Sequence, residues 1–251
     1  EAEEIADEAV KARPNDSNLR LGLGLVFMSR SEWVRAQRFL SQAWALDQRT
    51  DIAYAFLSSL LNGKDVKPAA QQDAESVLRE LGPKVEENAD LLVSRAKLFS
   101  IRGRRQEAER DLAASLGKVN FDDSGKAIGW MAEARRIIPN VLDLAKILEF
   151  QTIQGRARMW ADFYRGSVLM EDPAQLDTAL SLLRSVIEAN KEPAAVQLSY
   201  RLLGSGLFGT KKYDEAVKIW GDGVKRYPTD WEMNNNLAYA LAKHLKNYAE
   251  A

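Results

Sequence analysis

The 251 residues are 46% hydrophobic and 28% charged, enough to bury a large core as one or two ordinary domains or as one elongated array. A formal net charge of −1 supplies no overall field for nucleic acid or an anionic membrane, so no nucleic-acid partner is expected. The absence of cysteine excludes disulfides, thiolate metal sites and cysteine nucleophiles together, and no apolar run approaches the roughly 20 residues of a membrane span.

From Glu1 to Pro14 the residues Ala2, Ile5, Ala6, Ala9 and Val10 form one helical stripe that stops at Pro14. Adding 34 to Ala2, Ala6 and Ala9 gives Ala36, Leu40 and Ala43, the second helix of a unit whose first helix carries Arg20, Leu23, Gly24 and Phe27. The chain therefore opens on a second helix without its first. Trp44 follows Ala43 as Val10 follows Ala9, which places it in the core between adjacent repeats rather than at a ligand. The next unit holds Tyr54, Leu57, Ser58 and Leu61, then Ala74, Leu78 and Leu81. Leu61 to Ala74 is thirteen residues where Phe27 to Ala36 is nine, so its turn carries an insertion. A fourth unit starts at about Asn88, with Leu92, Ala96 and Phe99, then Ala108, Leu112 and Ser115.

The phase fails after residue 121. Ala127, Met131, Ala134 and Pro139 imitate a second helix with no first, and Val141 to Ile153 reads as an apolar helix in no phase, so residues 122–156 are expected to be an irregular helix pair. Phase returns with Trp160, Phe163, Tyr164 and Ser167, then Ala179, Leu183 and Val186, with Tyr164 standing at the small-residue position. Gln197 to Asp230 is the clearest unit, with Tyr200, Leu203, Gly204 and Leu207 on one face of a first helix, Ala216, Trp220 and Gly223 on a second, and Pro228 as the stop. Leu237, Ala238 and Leu241 begin another. Leu237, Leu241 and Tyr248 are then expected to lie open, covered by further chain or by another copy, so self-association through this end is possible.

Tyr200, Leu203, Gly204, Leu207, Ala216, Trp220 and Pro228 resemble the tetratricopeptide repeat, W-x2-L-G-x2-Y…A-x3-F…P over 34 residues. The resemblance, of a bacterial type, implies an all-α fold: a right-handed α-solenoid of helix-turn-helix repeats with one irregular helix pair in the middle. It divides the chain into an N-terminal block 1–121 (repeats about 17–50, 51–87 and 88–121), the pair 122–156 and a C-terminal block 157–251 (repeats about 157–194, 197–230 and an incomplete 231–251). The implied function is a non-catalytic scaffold or adaptor that binds a protein or peptide along a concave face. The alternatives are a regulatory or docking segment of a larger enzyme and, further behind, an RNA-binding helical repeat. First helices line the concave side in this family, and residues one step beyond the hairpin contacts point into it. Those are Leu21, Leu25 and Met28, then Ala55, Phe56 and Ser59, with Arg158, Asp162, Arg165, Arg201, Asn235 and Asn236 at the corresponding later places. The groove is thus expected to run from apolar to polar. Arg201 and Asn236 are similar to part of the family's carboxylate clamp, although Ser205 stands where a second Asn belongs.

No cofactor or metal site emerges. His244 is the single histidine and has no acid in register. Gly204-Ser-Gly206-Leu-Phe-Gly209 spells G-x-G-x-x-G, but a helix precedes it where a dinucleotide site needs a strand. No signal peptide is visible, the first residue is Glu1 rather than Met, and a cysteine-free soluble chain suits a bacterial cytoplasm or periplasm equally.

Overall fold

The computed structural model describes residues 2–62 and 65–243, and among them the chain is all-helical, with fifteen α-helices and one short 3-10 turn. It forms two compact units, Glu1–Lys118 and Val119–Ala251.

The first unit contains α1 (Ala2–Ala12), α2 (Ser17–Ser29), α3 (Trp33–Leu46), α4 (Thr50–Leu60), α5 (Pro68–Leu81), the single turn α6 (Lys84–Glu87), α7 (Ala89–Ile101) and α8 (Arg105–Leu116). Successive helices pack on one another, and the alternate helices α2, α4 and α7 also touch in sequence. Asp16 and Asn88 cap α2 and α7 by accepting backbone N–H groups of the first turn, and Pro68 opens α5 where its missing N–H costs nothing. Close packing explains the small residues. A Cβ built on Gly24 would lie 2.5 Å from Cγ of Leu40, so α2 and α3 approach at a distance only glycine permits. Ties between pairs are polar as well as apolar. Trp44 of α3 is buried and donates its indole N–H to Glu80 of α5 at 3.1 Å, while Arg102, at the C-terminal cap of α7, reaches Glu75 and the Gln71 carbonyl on α5.

Three helix pairs share one turn. The N–H groups of Glu32, Arg104 and Lys212 reach back five residues to the carbonyls of Phe27, Phe99 and Leu207, at 2.9, 2.8 and 2.9 Å. This closure needs a left-handed residue just before the donor, and Ser31, Gly103 and Lys211 hold φ of 60°, 71° and 64°. Four residues on from each donor, Ala36, Ala108 and Ala216 are fully buried. Only Gly103 suits that backbone, because a Cβ in the left-handed region costs about 1–2 kcal/mol. Ser31→Gly and Lys211→Gly are therefore expected to raise stability by about 0.5–1 kcal/mol each, after the entropy glycine loses on folding. Urea midpoints check it, and Gly103→Ala should move the midpoint the other way.

The second unit contains α9 (Ser124–Ile137), α10 (Val141–Ile147), α11 (Gly155–Leu169), the 3-10 turn Pro173–Gln175, α12 (Leu176–Ala189), α13 (Pro193–Gly209), α14 (Tyr213–Arg226) and α15 (Trp231–Lys243). Here too alternate helices touch, α11 with α13 and α13 with α15. The apolar run from Val141 is helical only to Ile147 and continues as turns to Ile153, which corrects the longer helix expected there. Tyr164 does not occupy the close-contact position of its pair. Gly166 does, since a Cβ there would lie 3.0 Å from Leu183 on α12. Tyr164 faces α9 instead, stacking on Trp130 at 5.5 Å and donating its hydroxyl to the Ala127 carbonyl, in a cluster with Trp160 and Phe163. Ion pairs bridge residues a repeat length apart: Arg135 to Glu171, and Arg156 to both Asp122 and Glu192.

Candidate binding surface

On α2 the interior faces are accounted for. Gly24 meets Leu40, Phe27 stacks on Phe39 with centroids 5.4 Å apart, and the buried Arg20 donates to the carbonyls of Arg13 and Asp16. Leu21 and Met28 are half-buried and pack against the core from the flanks. Leu25 and Val26 are left standing out, 48% and 49% exposed, beside the exposed Gly22 and Ser29. No charged side chain occurs between Arg20 and Arg30, so this outer face is apolar or neutral along its length. An amphipathic surface helix ordinarily turns charge to water on that side.

The expected continuation onto α4 is closed. Ala55, Phe56 and Ser59 are all buried, because α4 is packed by α2, α3, α5 and α7 together. Ser59 donates its hydroxyl to the Phe56 carbonyl at 2.7 Å, and its own carbonyl accepts Gln37 at 2.8 Å, so its polar atoms are committed internally. These three residues pack between helices and do not line a groove.

In the second unit Arg201 is engaged at both ends of its guanidinium, from Nε to Asp230 at 2.8 Å and from Nη1 to Glu232 at 3.1 Å. Gln197 donates to the same Asp230 oxygen at 2.7 Å, and the other oxygen caps α15 by accepting the Met233 N–H at 3.1 Å. Burial pushes the Asp230 carboxyl up, but the hydrogen bonds from Gln197, the Met233 N–H and Arg201 together outweigh it and hold the group below the usual aspartate range. Arg201 is a strut between α13 and α15. Asn235 is exposed and Asn236 half-buried. Trp231 at the head of α15 is 75% exposed, at a position the repeat spacing does not single out.

Arg158 and Arg165 reach the segment just after α10, and Asp162 pairs with Arg158 on its own helix, so none of the three joins Arg201. Arg158 donates to the Leu148 carbonyl and sits 3.3 Å from Asp162, and Arg165 pairs with Glu149. Burial raises the Asp162 carboxyl against the pull of Arg158 and Arg165. Gly204 and Gly206 lie inside α13, where added Cβ atoms would strike Trp220, Leu180 and Met170, so the glycine run is a packing feature. Among the described residues no three acidic or histidine side chains come together as a metal site, and no helix is long and apolar enough to cross a membrane. His244 and Tyr248 lie outside the described residues. No protein-family model matches the chain, and no curated protein matches it either.

Proposed function

We propose that this chain is a non-catalytic scaffold or adaptor, an α-solenoid of tetratricopeptide-like repeats, that binds a protein or peptide through the exposed face of α2. The repeated turn at Ser31, Gly103 and Lys211, with the buried alanines that follow each, supports the repeat reading. The observation that carries the binding reading is the charge-free outer face of α2 around Leu25 and Val26. Exposed apolar area of this kind, rimmed by polar residues, suits the apolar side of a partner helix or extended peptide, and the flanking Met28 adapts to varied shapes. Leu25→Asp together with Val26→Asp introduces two charges where a partner would need to desolvate them. With helicity unchanged by circular dichroism, the double variant is expected to lose the partners that the unaltered chain retains in affinity capture with mass spectrometry. An identical set of captured proteins from the folded variant would remove the proposal.

A further inference from the structure

Among the described residues, the buried side-chain nitrogens without a hydrogen-bond partner are Arg158 Nε, Trp160 Nε1 and Arg165 Nε, and all of them belong to α11. An enclosed donor without an acceptor is costly, and a bound ion is one of the few things that offsets it. Trp160 is fully buried and packs on Phe121, Phe163 and Tyr164, so its indole belongs to the core. The two arginines do not. Arg156 on the same helix places Nε, Nη1 and Nη2 on the carboxylates of Glu192 and Asp122, whereas Arg158 and Arg165 make no hydrogen bond from Nη1 or from Nε.

Arg158 and Arg165 lie two turns apart, about 10 Å along the helix axis. Their Nη2 groups nevertheless reach adjacent residues, the Leu148 carbonyl and the Glu149 carboxylate, so the guanidiniums converge beside the turn that follows α10. Asp162 stands between them on the same face, one turn from each. Its nearest partner is Arg158 Nε at 3.3 Å, too poorly aligned for a hydrogen bond, and no donor reaches Oδ2. Burial raises this carboxyl against the pull of Arg158 and Arg165, as expected of an acid short of hydrogen bonds. The side chains of Arg158, Asp162 and Arg165 are 30%, 30% and 26% exposed, so a small solute reaches all three.

The unmet bonds fix the chemistry of the ligand. The arginines require acceptors, Asp162 requires a donor, and one small group that carries both is an oxyanion with an O–H. Hydrogen phosphate is such a group, and the planar guanidinium fork suits it. Sulfate and carboxylates bring the acceptors without the O–H at neutral pH, so Asp162 meets them as an unrelieved like charge. We infer that Arg158, Arg165 and Asp162 form a site for inorganic phosphate in its hydrogen phosphate form, the arginines donating from Nη1 to its oxygens and Asp162 accepting its O–H at Oδ2. Glu149 holds Arg165 from Nη2 and leaves Nη1 for the ligand. The site lies within the second unit and does not depend on the outer face of α2.

Isothermal titration calorimetry at constant ionic strength tests this, with inorganic phosphate, phenyl phosphate and sulfate as the probes. At about pH 8 a phosphomonoester, whose second pKa is about 6, has lost its last proton, whereas inorganic phosphate keeps one. Phosphate is expected to bind the unaltered chain saturably and at least about tenfold more tightly than either sulfate or phenyl phosphate. Arg158→Ala and Arg165→Ala, each with helicity unchanged by circular dichroism, should weaken phosphate binding at least about tenfold. Asp162→Asn keeps the shape and adds a donor, so it should bring sulfate to about the affinity of phosphate. No saturable phosphate binding, equal binding of sulfate or phenyl phosphate by the unaltered chain, binding indifferent to both arginines, or a preference for phosphate that survives Asp162→Asn each overturns the inference.

Discussion

Gly204→Leu is expected to destabilise the second unit by about 3 kcal/mol, the upper part of the usual range for forcing a side chain into a packed contact. A Cβ built on Gly204 would already lie 2.5 Å from Cε2 and 2.6 Å from Cδ1 of Trp220, before any further atom is added. Two effects oppose each other here. Replacing a glycine inside a helix gains about 1 kcal/mol of propensity, whereas moving α13 away from α14 gives up the burial of Trp220. The indole cannot swing aside freely, because its ring also packs on Phe208 and its N–H faces the Arg201 carbonyl at 3.4 Å. Overpacking therefore wins. Gly22 supplies the control: nothing lies within 4 Å of a Cβ there, so Gly22→Ala should stabilise the first unit by about 0.5–1 kcal/mol. Chemical denaturation read separately for each unit decides between them. Equal midpoints for Gly204→Leu and the unaltered chain would mean that α13 and α14 do not meet at this residue.

Gly204 is legible in the sequence because its spacing has few alternatives. A small residue on one helix and an alanine twelve residues later recur as Gly24 with Ala36, Ala96 with Ala108 and Gly204 with Ala216, and all of these positions are buried. Helical period and turn length together admit only one such pairing. Where the turn changes length, that inference weakens. Tyr164 falls at the small-residue position by spacing alone, yet Gly166 makes the contact with Leu183, in the pair whose turn into α12 contains the extra 3-10 segment Pro173–Gln175. The run from Val141 reads as a long helix because it is largely apolar. Apolarity alone does not separate a helix from a buried turn, and the chain turns after Ile147.

The candidate site is less legible than the fold, and for a different reason. Which face of a helix points inward follows from its own sequence, but how many neighbours cover the other faces does not. Helix α4 reads much like α2, yet α4 is packed by α5 and α7 as well, and Ala55, Phe56 and Ser59 are buried while Leu25 and Val26 remain open. Arg201 shows the same limit in polar form. A lone arginine on a first helix looks available, and only the placement of Asp230 and Glu232 at the start of α15 reveals that it is engaged.

Asp230 is where that engagement can be tested most sharply. Asp230→Ala is expected to cost about 2–4 kcal/mol, combining loss of a helix cap with loss of charge-assisted hydrogen bonds to buried donors. Asp230 is 3% exposed and its carboxylate accepts from the Met233 N–H, Gln197 and Arg201, so its removal takes an acceptor from three donors at the α13 to α15 junction. Asp230→Asn isolates the charge, because the amide keeps the shape and one acceptor. The sign of the pH effect follows from the direction of the shift. The folded carboxyl titrates below its unfolded value, so its contribution is fully present above an unfolded pKa of about 3.9 and is lost as pH falls through the lower, folded value. The stability gap between the unaltered chain and Asp230→Asn should accordingly be constant from pH 7 down to about pH 5 and shrink below about pH 4. A gap that stays open in acid would show that shape and capping, rather than the carboxylate's charge on Arg201, hold α15 to α13.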